Sequence, residues 1–214
     1  MEKIDQFFKR FNGSYFAFVG AGISLITLFI AIILYRMVDP TFNPTTDWIS
    51  DLGEGPNYSN YVFNIGAIAF GIISIFFDLY LTIFLLKKGS SKLLNWAAFI
   101  IGLFSAIGLI LAAIFPMYAA PDMHLNAAIV FFIGMFFLCI IYGITELLII
   151  ENYKKIPISG FIVAAIIMIF MISYLLSDLN YGINRAEYLL LEWISYFSFI
   201  AWIIIQGIYT LKVK

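Results

Sequence analysis

Asp47-Trp48-Ile49-Ser50-Asp51-Leu52-Gly53-Glu54-Gly55-Pro56-Asn57-Tyr58 is the longest polar run in the chain, and it decides the fold through what flanks it. The apolar segment Tyr15–Met37 precedes it and Tyr61–Leu86 follows it. Each is longer than the roughly 20 residues a helix needs to cross about 30 Å of hydrocarbon. Three carboxylates, two glycines and a proline make the run a loop between membrane helices. Its chemistry suits a cation, a proton or a polar head group, or simply a well-wetted lid.

The rest of the chain repeats the pattern. Hydrophobic residues make up 63% and charged residues 12%, against roughly 45–50% and about 25% in soluble domains. Only a bilayer tolerates that much outward-facing apolar surface. Six apolar spans follow, at about 15–37, 61–86, 94–117, 125–150, 158–176 and 188–211. Backbone groups inside lipid must bond within their own segment, so all six are expected to be helices. The expected fold is all-α, a polytopic bundle forming one membrane domain over residues 1–214, with no room for a separate soluble domain. Aligning the first three spans against the last three gives no matching motif, which weighs against an inverted repeat of the transporter kind.

Orientation follows from the basic residues. Lys3, Lys9 and Arg10 precede the first span, and Lys87, Lys88 and Lys92 follow the second. Lys154 and Lys155 follow the fourth, and Lys212 and Lys214 end the chain; only Arg36 and Arg185 fall on the other side. Both termini are therefore expected in the cytoplasm, in a multi-pass protein of the cell membrane. The outer loops carry Asp39, Asp47, Asp51, Glu54, Asp122, Asp178 and Glu187, an acidic face that disfavours nucleic acid and leaves membrane lipids as the expected partners. The start, Met1 to Arg10, carries acids and no small-residue cleavage site, so it reads as a short amphipathic lead-in rather than a secretory signal.

Small residues recur along the third span at Ala98, Gly102, Ala106, Gly108 and Ala112, marking it as a candidate for the packed centre, with Ala67 and Gly71 echoing the pattern in the second. Tyr15, Tyr35, Trp48, Tyr58, Tyr61, Trp96, Tyr118, Tyr153, Tyr188 and Trp193 fall near span ends, where amphipathic rings anchor at the interface. Tyr174, Tyr181 and Trp193 can also line an outer pocket.

Two constellations can carry chemistry. The outer one joins Asp47 and Asp51 of the long Val38–Asn60 loop, Arg36 at the end of the first span, Asp122 and His124 at the head of the fourth, and Glu192 in the sixth. His124 can be a structural or proton-sensing group bonded to Asp51 or Asp122, or a general base oriented by Asp51, with Arg36 on an anionic head group. One histidine in the whole chain, and one cysteine, Cys139, argue against a metal centre or a disulfide, and no cofactor is expected. The second constellation is buried. Asp78 and Glu146 lie about 12–14 Å from the inner ends of their helices at 1.5 Å per residue, a depth at which an acid is costly and by default functional. Touching, they can share a proton; apart, Asp78 bonds Thr82 and Glu146 reaches the inner interface. Asn64, Ser105 and Gln206 read as hydrogen-bond partners between helices.

Ser50-Asp51-Leu52-Gly53, then Pro56, Phe63-Asn64 and Gly66, followed by Phe115-Pro116 and His124, resemble the membrane family called domain of unknown function 998. More distantly they resemble the eukaryotic group of the damage-regulated autophagy modulator and the yeast suppressor of four kinase. The likeness spans the first four helices. It implies six helices with cytoplasmic ends, and the distant group's association with lipid sorting or lipid-anchor remodelling implies roles for Asp51 and His124. The expected function is thus to bind or process a lipid or amphipathic ligand in an outward pocket, with Asp51 and His124 at its polar centre; the sequence leaves turnover open. A small proton-coupled transporter built on Asp78 and Glu146, and a non-catalytic scaffold, are the alternatives.

Overall fold

The computed structural model describes residues 2–149, 154–179 and 184–213. Met1, Tyr153, Tyr181 and Lys214, named above, lie outside the described residues, as do the side chains of Lys3, Lys9 and Asp178. The elements are α1 (Glu2–Arg10), α2 (Ser14–Arg36), a 3-10 turn (Ile49–Glu54), α3 (Ser59–Lys87), α4 (Lys92–Ile114), α5 (Pro121–Ile149), α6 (Lys155–Asp178) and α7 (Arg185–Lys212). The helices α2 to α7 are long and apolar enough to cross a membrane, so the chain is a multi-pass membrane protein.

Most helices run a few residues beyond the apolar spans, because the hydrogen-bonded ladder continues through polar residues until a breaker stops it. Ser91 caps α4 by accepting from the Leu94 N–H. At the other end α4 stops at Ile114, three residues short of the apolar span, where Phe115 turns extended ahead of Pro116. Proline disfavours helical geometry in the residue before it. Pro121 then opens α5, where its missing N–H costs nothing.

Each membrane helix packs on its neighbour in sequence, and α7 returns to lie beside α2, closing a ring. The closure is pinned near one end by Ser14 Oγ and Thr210 Oγ1 at 2.9 Å. An even number of crossings puts the start of α2 and the end of α7 at the same end of the bundle. The amphipathic α1 folds back there, its Phe8 ring meeting Phe16 and Tyr80.

The small-residue stripe of α4 brings two helix backbones close together, as its spacing implies. A Cβ on Gly108 would lie 2.7 Å from the Phe131 nitrogen and 2.8 Å from the Ala127 oxygen, so the stripe seats α4 against the α5 backbone. The most buried spans are α5 and α7 rather than α4. Trp193, Tyr196, Phe199 and Trp202 of α7 are large and buried, and bulk of that kind fills a ring of helices where small residues cannot. Tyr15, Tyr58, Tyr61 and Tyr118 are exposed near helix ends, as anchors are. Trp48 and Trp193 point inward instead.

Candidate functional site

The loop between α2 and α3 is built from local caps. Asp47 Oδ2 accepts the Asn43 N–H at 2.9 Å, and Asp39 accepts the Thr41 N–H at 3.0 Å. Asp51 Oδ2 accepts the Trp48 N–H at 2.8 Å, closing the first turn of Ile49–Glu54. Burial raises the Asp51 pKa above the ordinary carboxylate value, opposed by that hydrogen bond. At the exposed Asp39 the bonds from Thr41 lower it. Asn57 and Tyr58 take left-handed backbone (φ 54° and 65°), turning the chain into α3.

Aromatic side chains clamp this loop onto the bundle. Trp193 Nε1 donates to the Asp47 carbonyl at 3.0 Å. Phe42 is buried between Tyr35 and Trp193, and Trp48 sits against Tyr174 and Tyr188. Tyr174 and Trp193 therefore fasten the loop to the bundle.

Beneath the 3-10 turn lies a cavity of about 60 Å³, walled by α3, the end of α4, the start of α5, and α7. That is room for roughly four to six waters at 10–15 Å³ each. Its polar lining is Ser50, Glu54, Asn64, His124 and Glu192; the rest is apolar or aromatic.

Four of these five polar side chains are hydrogen-bonded. His124 is 8% exposed, and its Nδ1 lies 3.0 Å from the Ala112 carbonyl and 2.9 Å from that of Phe115. Both partners only accept, so Nδ1 carries the proton and donates. The bond satisfies carbonyls that the end of α4 leaves without helical partners, and in the neutral ring it leaves Nε2 as an acceptor. Glu192, 5% exposed, accepts the Ile49 N–H at Oε2 across 2.9 Å. Asn64 Nδ2 donates to the Gly53 carbonyl at 2.9 Å. The turn can come that close because position 53 lacks a side chain; a Cβ there would lie 2.6 Å from Asn64 Oδ1. Glu54 Oε1 accepts the Tyr118 N–H at 2.6 Å.

Of the outer residues singled out from sequence, His124 and Glu192 line this cavity. Asp51 sits in the turn above it with its carboxylate committed to Trp48, and His124 is oriented by backbone carbonyls rather than by Asp51 or Asp122. Asp47 organises the loop, Asp122 is exposed on the first turn of α5, and Arg36 is exposed with Nη2 donating to the Pro40 carbonyl at 3.4 Å. None of these last three reaches the cavity lining. Ser50, Glu54 and Asn64 join the site unforeseen; their presence in and just after the polar run was the available signal.

The buried acids are separate. Asp78, 4% exposed, faces a void of about 10 Å³, the size of one water, with Ser74 and Ser105, where absence of a side chain at Gly102 makes space for its carboxyl. Thr82 does not bond it. Thr82 Oγ1 meets the Tyr142 hydroxyl at 2.8 Å, which in turn donates to the Asp78 backbone carbonyl at 3.1 Å. Glu146 does not reach the interface: it is fully buried, its Oε2 accepting from Gln206 Nε2 at 3.1 Å while its Oε1 and Gln206 Oε1 have no partner. Ser105 Oγ donates to the Phe131 carbonyl at 2.9 Å, bridging α4 and α5.

Among the described residues no group of three or more His, Cys, Asp or Glu is placed to hold a metal ion. No curated protein and no solved structure matches the chain, so the more distant eukaryotic likeness gains no support. Over residues 18–209 the chain matches the model of the family described as Protein of unknown function (DUF998), and to that family it belongs.

Proposed function

We propose that this protein binds the polar end of a lipid or other amphipathic molecule in the cavity beneath the Ile49–Glu54 turn, on the outer side of the cell membrane. The observation that carries this reading is the pairing of His124 and Glu192 on one cavity whose remaining wall is largely apolar. Ligand sites combine such walls with a few placed polar groups. The basic residues, gathered at the opposite loops, support the outward orientation. Turnover would use His124 Nε2 as the base, with the Ala112 and Phe115 carbonyls holding the ring in the needed tautomer.

Native mass spectrometry of gently extracted protein tests this, comparing wild type with His124→Asn and Glu192→Gln. Asn keeps a donor for the α4 carbonyls and Gln keeps an acceptor for Ile49, so both variants should fold. The expected result is one lipid class held by wild type and lost from both. Identical lipids on all three proteins would remove the reading.

A second reading, a proton-linked carrier on Asp78 and Glu146, is favoured by one relationship: the outer cavity and the void at Asp78 share Leu109 and Phe131 as walls. Proton uptake into dye-loaded liposomes, faster with wild type than with Asp78→Asn, is its expected signature. Uptake no faster than in empty liposomes would sink it.

A further inference from the structure

We propose that the group entering the cavity is a cationic hydrogen-bond donor, a primary ammonium such as the end of an aminolipid head group. The inference rests on the binding reading above and specifies its chemistry.

Nδ1 of His124 is spent on two carbonyls, leaving Nε2, an acceptor in the neutral ring. The Ile49 N–H occupies Oε2 of Glu192, leaving Oε1. Asn64 has used one of its two amide N–H groups on Gly53, leaving the second N–H and Oδ1. Tyr118 takes Oε1 of Glu54, leaving Oε2. Four of the free atoms accept, the second Asn64 N–H is the one fixed donor among them, and the Ser50 hydroxyl can do either. The Tyr196 hydroxyl is already paired with Ser24 Oγ at 2.8 Å. No lysine or arginine belongs to the lining, and Arg36 lies outside it.

A phosphate or carboxylate in this space would meet acceptors and two acidic side chains without a counter-charge. A primary ammonium brings three N–H donors and a positive charge to the same positions. Phe63, Phe131, Phe132 and Tyr196 add ring surfaces that attract cations. Glu192 gives the charge complement its focus, since a buried carboxylate is stabilised by a paired cation and costly without one. The volume, about 60 Å³, fits an ammonium with its adjoining methylenes and excludes a whole phosphodiester head, so the anionic part of such a lipid stays outside. The earlier expectation of Arg36 gripping an anionic head group is replaced by the opposite polarity.

The test uses full-length protein, delipidated and returned to nanodiscs containing phosphatidylethanolamine, phosphatidylcholine and phosphatidylglycerol with identical acyl chains, with retained lipid read by native mass spectrometry. Ala112→Phe, which fills the cavity, and Glu192→Gln, which keeps the Ile49 bond without the charge, are run alongside, with helical content checked by circular dichroism. Wild type should hold phosphatidylethanolamine at least tenfold over the other two, and both variants should lose that preference. Competition by millimolar ethanolamine would support the ammonium chemistry and assign it to a free amine as well as a lipid. Preferential retention of phosphatidylglycerol, or equal retention of the ethanolamine and choline lipids, lost in Ala112→Phe, would overturn the cation inference while keeping the pocket. Retention that is nil, or unaffected by Ala112→Phe, would overturn both.

Discussion

Glu192 Oε2 accepts the backbone N–H of Ile49 at 2.9 Å, a buried bond between residues 143 positions apart. It fastens the first residue of the 3-10 turn to the last helix, and so fixes the lid of the cavity to its far wall. A single carboxyl thus serves both the closure of the loop and the lining of the site.

Removing that acceptor should therefore loosen the lid. Glu192→Ala leaves the Ile49 N–H buried without a partner, a cost of about 1–3 kcal/mol, whereas Glu192→Gln keeps an oxygen in place. Hydrogen exchange at Ile49 to Glu54 should rise in the alanine variant and stay near wild type in the glutamine variant. Equal protection in all three would show that the aromatic clamp alone holds the turn.

The loop should also respond to pH through Asp51. Its folded-state pKa is raised above the ordinary carboxylate value of 3.8, mainly by burial. The native state then binds more protons than the unfolded one in that range, so its contribution to stability falls as pH rises through the window above 3.8. Asp51→Asn keeps an acceptor for the Trp48 N–H without the charge. Thermal melts should place Asp51→Asn above wild type at pH 7, with the gap narrowing toward pH 4; a gap that widens on acidification would contradict the assignment.

Gly108 and Gly22 offer a matched pair on packing. A Cβ at Gly108 would press on the α5 backbone at 2.7 and 2.8 Å, while at Gly22 it would meet nothing within 4 Å. Gly108→Ala should destabilise by about 1–3 kcal/mol as overpacking does. Gly22→Ala, within a helix, should be neutral or stabilise by up to about 1 kcal/mol. Unfolding in mixed detergent with rising denaturing surfactant would rank them, and similar midpoints would mean α4 can shift freely on α5.

Glu146 and Gln206 should behave as a unit. Either residue replaced by leucine strands the other's polar groups in the core, at about 1–3 kcal/mol each. The double variant leaves no stranded pair, so its cost should fall below the sum of the singles. Strict additivity in the same unfolding assay would show that the 3.1 Å bond contributes no coupling.

The amino-acid sequence by itself determined the number of helices, their apolar stretches and the family, because hydrocarbon forces each span to bond internally and to carry about 20 apolar residues in a row. It also singled out the polar run that covers the cavity, and two residues of its lining, His124 and Glu192. What it could not carry was which acids serve the loop and which serve the cavity: Asp47 and Asp51 look like site residues until their carboxylates are found on Asn43 and Trp48. Nor could it place Ser50, Glu54 and Asn64 against His124, or turn His124 to carbonyls rather than to a carboxylate. Those choices depend on closure of the ring by α7 beside α2, which brings Glu192 to Ile49. Such contacts between distant segments leave no periodicity behind, and only tertiary packing decides them.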